Sequence, residues 1–136
     1  MNVLVTGSNG FVGKEVVRVL EANSLSVTSL VRNRSANNPS KKAILMNNFH
    51  SKAEWKEALI GIDVVVHLIA RTHNLSEKNI DTYDLYRHTN VDITEALCDA
   101  ILDSDVKKLV FMSSIKVNGE STDINAFSES SNEKPE

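Results

Sequence analysis

The residues best placed to do chemistry open the chain. Gly7, Gly10 and Gly13 are spaced every third residue in Gly7-Ser8-Asn9-Gly10-Phe11-Val12-Gly13, directly after the apolar run Val3-Leu4-Val5. Gly7 permits a tight turn off a strand, Gly10 lets an anion approach the backbone without meeting a Cβ, and Gly13 lets a helix pack close to that strand. A helix beginning at Phe11 aims its first N–H groups, and the positive end of its dipole, at whatever sits over the loop. That chemistry suits the pyrophosphate of a dinucleotide. No Gly-Lys-Ser/Thr follows at Walker spacing. The bland alternative is a structural glycine turn, and the strand before and the amphipathic helix after argue against it. Three further positions carry reactive or charged groups within or at the ends of apolar runs: His67 within one, and Arg32 and the pair Ser113-Ser114 at the ends of others.

These residues need elements to hold them. Asn2–Thr6 reads as a strand, and Phe11, Val12, Val16, Val17 and Leu20 recur at helical spacing through Ala22. A second strand is expected over Ser26–Val31, and a polar stretch containing Pro39 (residues 33–42) over a loop. Ala43–Met46 is a third apolar run. Ser51 is placed to cap a helix through Trp55, Ala58 and Leu59, with Gly61 where it stops. Asp63–Ala70, "DVVVHLIA", is the most apolar strand. After polar residues 71–80, one helix is expected over Asp81–Leu102, with Val91, Thr94, Leu97 and Ile101 on its inner stripe. Lys107–Ser114 is the last strand, and the polar stretch after Gly119 reads as loop or disordered tail. Strands alternating with helices predict an α/β fold, a Rossmann-type doubly wound parallel sheet of about five strands, with residues 1–119 as the NAD(P)-binding domain and 120–136 outside its core.

Composition narrows the classes. The 136 residues are 41% hydrophobic and 24% charged with a formal net charge of −3, ordinary for a globular protein and without the basic face of a nucleic-acid binder. No apolar stretch is long enough to span a bilayer, and the N-terminus enters a strand with no basic leader. The single cysteine, Cys98, lies in a helical pattern and reads as a small core residue. A cytoplasmic protein binding neither nucleic acid nor membrane is expected.

Four segments, in order, resemble the extended short-chain dehydrogenases/reductases of the NAD-dependent epimerase/dehydratase group. "VTGSNGFVG" is similar to that family's TGxxGxxG loop, "DVVVHLIA" to its D-x-V-x-H-x-A-A strand, "NVDIT" to its N-V-x-G-T helix, and "LVFMSSIKVNGE" to the serine strand before its active site. Within the family, "SSIKVNGE" looks most like UDP-sugar 4-epimerases and 4-reductases of bacterial surface-polysaccharide pathways. The resemblance implies hydride transfer between a sugar C4 and the nicotinamide of NAD(P). A tyrosine whose pKa is lowered by a lysine four residues on moves the hydroxyl proton, and a serine or threonine hydrogen-bonds the same oxygen. A UDP-hexose partner is implied for the full-length protein.

Carried over position by position, the resemblance makes Ser114 the catalytic serine and places Ser113 near the nicotinamide. Gly7, Asn9, Gly10, Phe11, Val12 and Gly13 form the pyrophosphate loop. Leu68, Ile69 and Ala70 lie along the cofactor, with Ile69 replacing the usual alanine. Asn48 and Phe49 stand where the family sets a polar and an apolar residue against the adenine, Asn48 as an amide in place of a carboxylate. Asn90 is the helix asparagine that fixes backbone near the active site, followed by Ile93 in place of the usual glycine and by Thr94. His67 aligns with the strand histidine and reads as a satisfied structural group in preference to a base. At the end of the second strand, Leu30-Val31-Arg32-Asn33 offers no acid for a ribose 2′-OH. Arg32, with Arg34, Lys41 and Lys42 expected nearby, tilts the choice toward NADP over NAD.

The family's tyrosine and lysine have no counterpart. Tyr83 and Tyr86 are followed four residues on by Arg87 and Asn90, and both precede the serine strand; the residue four before Lys116 is Met112. The expectation is an N-terminal part of a larger enzyme, ending where the catalytic helix should begin and inactive alone, with an exposed sheet edge that favours self-association as a homodimer. An NADP-dependent reductase of a 4-keto sugar and a non-catalytic NAD(P)-sensing protein are the competing readings.

Overall fold

The computed structural model describes residues 1–33, 40–72, 82–122 and 126–135. Valine and leucine dominate the first strand, β1 (Asn2–Thr6), whose last four residues are buried. Branched side chains suit a strand covered on both faces. The chain turns at Gly7–Gly10 into helix α1 (Phe11–Ala22) and returns as β2 (Ser26–Val31), then β3 (Lys42–Leu45). Helix α2 (Lys52–Ala58) leads to β4 (Val64–His67). The long helix expected before β5 is broken: α3 (Thr82–Arg87), a π turn (His88–Asp92) and α4 (Ile93–Leu102). Strand β5 (Lys108–Phe111) and a 3₁₀ turn (Ile115–Asn118) follow.

All neighbouring strands are parallel in the order β3-β2-β1-β4-β5, with Asn2 opposite Ser26 and Val3 opposite Val64. The order reverses between β1 and β4, so the two chain excursions diverge from that pair. In sheets of this class ligands sit at this switch point, beyond the carboxyl ends of the strands.

Two apolar layers flank the sheet. On one face Val17 of α1, with Val16 and Leu20 beside it, packs on Val3, Val5, Val27 and Val66. On the other, Trp55 and Ala58 of α2 and Ile93, Leu97 and Ala100 of α4 pack on Leu4, Leu30 and Val65. Trp55 is fully buried, donates its indole N–H to the Phe49 carbonyl at 2.7 Å, and meets the Phe49 ring edge-on. Ser51 caps α2 as expected, its hydroxyl accepting from the Glu54 N–H. At the far end of the sheet the Asp63 carboxylate accepts the Asn2 N–H, which with Lys107 nearby holds its pKa below the usual range.

Several expectations are corrected. On α4 the buried stripe is Ile93, Leu97 and Ala100, with the expected Ile101 packed beside it and Thr94 half-buried, whereas Val91 is exposed, because the π turn advances the helix face by part of a turn. Strand β4 pairs only as far as His67, and residues 68–70 leave the sheet. Lys42 starts β3 opposite Thr28 and bonds the Ser26 hydroxyl, so Lys41 and Lys42 stand toward the amino end of β2 and do not join Arg32 at its carboxyl end. Arg34 lies outside the described residues, as do most of the loops expected over 33–42 and 71–80. The described tail residues lie back on the 3₁₀ turn, where the Lys134 N–H donates to the Val117 carbonyl and the Asn118 amide to the Ser131 carbonyl.

Candidate dinucleotide site

The glycine loop occupies the switch point. Gly7 has φ +64°, a conformation that L side chains resist, and a Cβ there would lie 2.7 Å from the Leu68 carbonyl oxygen. A Cβ on Gly13 would overlap the Gly7 carbonyl oxygen and stand 2.7 Å from Ser8 Cα. These two glycines therefore bring the loop, the start of α1 and the exit of β4 to backbone contact. Gly10 bonds back to the Gly7 carbonyl at 3.0 Å and serves as the N-cap of α1 without a side-chain cap.

That missing cap leaves donors free. The first intrahelical bond runs from Lys14 N–H to the Gly10 carbonyl, and the N–H groups of Phe11, Val12 and Gly13 have no acceptor among the described residues. Ser8 Oγ is fully buried beside them and likewise has no partner among the described residues. Unsatisfied donors at a helix start, a dipole end favouring negative charge and a cap with no Cβ suit a pyrophosphate. The residues present thus fit a dinucleotide.

Around this loop the other sequence-selected residues gather at the same sheet edge. Leu68 and Ile69 are half-buried and turn to opposite faces, Leu68 toward the α1 layer and Ile69 toward the Trp55 layer, while Ala70 is exposed. Ser113 and Ser114 are exposed past the end of β5, which is tied to β4 by the Met112 N–H donating to the His67 carbonyl at 3.2 Å. Ser114 Oγ accepts from the Lys116 N–H and so opens the 3₁₀ turn. Asn9 and Arg32 are exposed beside β1 and β2, and Phe11 is almost wholly exposed (97%).

Asn48 spends its side-chain oxygen on the His50 N–H at 2.9 Å, and its amide NH₂ has no partner among the described residues. Phe49 gives its ring to the core, where it is only 8% exposed. Asn90, carried out of the helical line by the π turn, clamps one residue of the loop leaving β4. Its Oδ1 accepts the Arg71 N–H at 2.6 Å and its Nδ2 donates to the Arg71 carbonyl at 3.0 Å.

Sequence reasoning missed Thr6 and Arg71. Thr6 is the one hydroxyl in β1 and directly follows its three buried aliphatics, Val3, Leu4 and Val5, and that incongruity is the available signal. Its hydroxyl lies 2.8 Å from His67 Nδ1 and accepts the Leu68 N–H at 3.1 Å. His67, 1% exposed, is held as a neutral imidazole, its pKa lowered by burial to about 4. Such a group is no general base near neutral pH.

The sheet and its switch point define an α/β protein of the Rossmann type. The chain belongs to the NAD dependent epimerase/dehydratase family, whose model matches residues 3–136. It is 33% identical over 136 residues to the UDP-glucose 4-epimerase of Vibrio cholerae, covering 99% of this chain and 42% of that protein. Among solved structures it resembles the Thermus thermophilus UDP-glucose 4-epimerase complex with NAD, with a TM-score of 0.82, 25% identity, and coverage of 99% of this chain and 45% of that one. A short-chain dehydrogenase/reductase superfamily protein from Agrobacterium tumefaciens with bound NAD gives a TM-score of 0.81 at 26% identity, covering 100% of this chain and 40% of that chain. The chain therefore spans less than half the length of these relatives.

Proposed function

We propose that the chain is the cofactor-binding portion of a nucleotide-sugar 4-epimerase acting on a UDP-hexose. The observation that carries this reading is the uncapped start of α1, with three N–H groups that have no acceptor among the described residues, over a loop whose glycines admit a pyrophosphate at the switch point. The names of the relatives support the substrate class. Bound there, a nicotinamide dinucleotide supplies reversible hydride transfer at the sugar C4.

The residues of this chain hold and orient. Phe11, Val12 and Gly13 donate to the pyrophosphate, Asn9 and Gly10 admit it, and Leu68–Ala70 line the path toward the nicotinamide. Asn48 offers its free amide toward the adenine, close to Phe49. Ser113 and Ser114 stand at the β5 end of the same edge, where the Ser114 hydroxyl hydrogen-bonds the reacting sugar oxygen. With no Tyr-x-x-x-Lys pair in the sequence, the 136-residue chain binds cofactor and does not turn over by itself.

Arg32 supports a second reading. Exposed directly after β2, with Asn33 beside it and no carboxylate at that position, it suits the 2′-phosphate of NADP(H) and hence a 4-keto-sugar reductase. Calorimetric titration of the chain with NAD(H), NADP(H) and UDP tests both. The expected result is dinucleotide binding with none for UDP, NADP(H) preferred, and the preference reduced about tenfold in Arg32→Ala, as loss of one charge-assisted bond requires. An unchanged preference in Arg32→Ala removes the second reading, and absence of any dinucleotide binding overturns the first.

A further inference from the structure

His67 joins two parts of the site that are far apart in sequence, and its hydrogen bonds fix every proton in the chain of contacts. The Leu68 N–H can only donate, and it donates to Thr6 Oγ1 at 3.1 Å. At the other end, the Asn90 carbonyl can only accept, and it accepts the Thr94 hydroxyl at 2.8 Å. Thr94 Oγ1 has then spent its proton, so its 3.2 Å contact with His67 Nε2 requires the proton on that nitrogen. A neutral imidazole has one N–H, so Nδ1 is bare and accepts the Thr6 hydroxyl at 2.8 Å. Burial keeps the ring neutral, and among the described residues no charged side chain contributes to its lowered pKa.

The two ends of this relay are the two walls of the crevice. Thr6 is the last residue of β1 and adjoins Gly7, where a Cβ would lie 2.7 Å from the Leu68 carbonyl oxygen. Thr94 takes up the carbonyl of Asn90, and the Asn90 amide in turn holds both polar backbone atoms of Arg71. The segment from Leu68 to Arg71 is thus pinned at its first residue through Thr6 and at its last through Asn90, with His67 between the two pins. Phe111 lies over the imidazole, ring centroids 6.0 Å apart, and covers it from the β5 side.

We propose that His67, as the Nε2-protonated neutral tautomer, is a positioning residue that couples the π turn of the Asn90 helix to the glycine loop and so sets the geometry of the dinucleotide site. It touches no ligand itself. The binding consequence rests on the cofactor reading above, and the tautomer does not.

The test has a ligand-free arm and a ligand arm. In the wild-type chain labelled with ¹⁵N-histidine, long-range ¹H–¹⁵N spectra at pH 7 are expected to show His67 with a bare Nδ1 and a protonated Nε2. Thr94→Val removes the acceptor of that N–H, and Thr94→Ser retains it. In the free chain Thr94→Val is expected to move the amide resonances of both Gly7 and Arg71, and Thr94→Ser to leave them near their wild-type positions. With NADP(H), Thr94→Val is expected to weaken binding about tenfold, the factor a single buried hydrogen bond carries, with Thr94→Ser restoring it. A His67 that is charged or protonated on Nδ1 overturns the proposal whether or not either variant folds, as does a Thr94→Val chain in which Gly7 does not respond. If wild type binds no dinucleotide, the cofactor reading fails while the tautomer and amide shifts still decide the coupling.

Discussion

Acid is expected to destabilise this protein through His67. In the unfolded chain the imidazole titrates near 6.5, and in the fold burial lowers it to about 4. Between those values the unfolded state takes up a proton that the folded state refuses. Stability contributed by the neutral ring is therefore complete above pH 6.5, is lost as pH falls toward 4, and levels off below. At 1.36 kcal/mol per unit the whole window amounts to roughly 3 kcal/mol, and the interval from pH 7.5 to 5 to about 2 kcal/mol. Urea unfolding of wild type and His67→Gln at pH 7.5, 6.5, 5.5 and 5 isolates the effect, because every other group titrates in both chains. Wild type is expected to lose about 1 M more of its urea midpoint than the variant over that range. Parallel losses would refute the reasoning, as would a wild-type His67 whose ring-proton resonances titrate near 6.5 in the folded state.

Two further substitutions probe the packing. Gly13→Ala puts a methyl group against the Gly7 carbonyl, and because the obstacle is backbone the expected destabilisation is about 3 kcal/mol or more, read by thermal unfolding, with dinucleotide binding lost in whatever still folds. Trp55→Phe removes the indole N–H from the Phe49 carbonyl and leaves unfilled volume between α2 and the sheet, an expected loss of about 2–4 kcal/mol in urea unfolding.

The parts legible in the sequence were those set by local chemistry. The turn from β1 into α1 announces itself because three glycines, a buried aliphatic run and a helical stripe adjoin one another. Ser51 was recognisable as a cap for the same reason. The π turn was hidden, since one extra residue per turn over His88–Asp92 leaves a plausible helical period on either side, and only packing reveals that Ile93 has replaced Val91 on the inner face. The position of Lys42 was hidden by strand register: nearness to Arg32 along the chain says nothing about which end of β2 it meets. His67 was visible as a buried histidine, but its partners Thr6 and Thr94 come from elements 61 and 27 residues away. The glycine loop of the site was therefore readable, whereas the scaffold that fixes its far wall was not.

The pairing of β1 with β4 also sets an order of events in folding. Asn2 meets Ser26 across a short, local excursion, while Val3 meets Val64 only after a loop more than twice as long has closed. Each doubling of such a loop adds about 0.6 kcal/mol of closure entropy, so the β1-α1-β2 unit is favoured to assemble first and the seam against β4 later. The proposed dinucleotide site lies on that seam. A ligand bound there engages contacts formed late in assembly, so it is expected to lengthen the lifetime of the folded chain while leaving its rate of formation nearly unchanged.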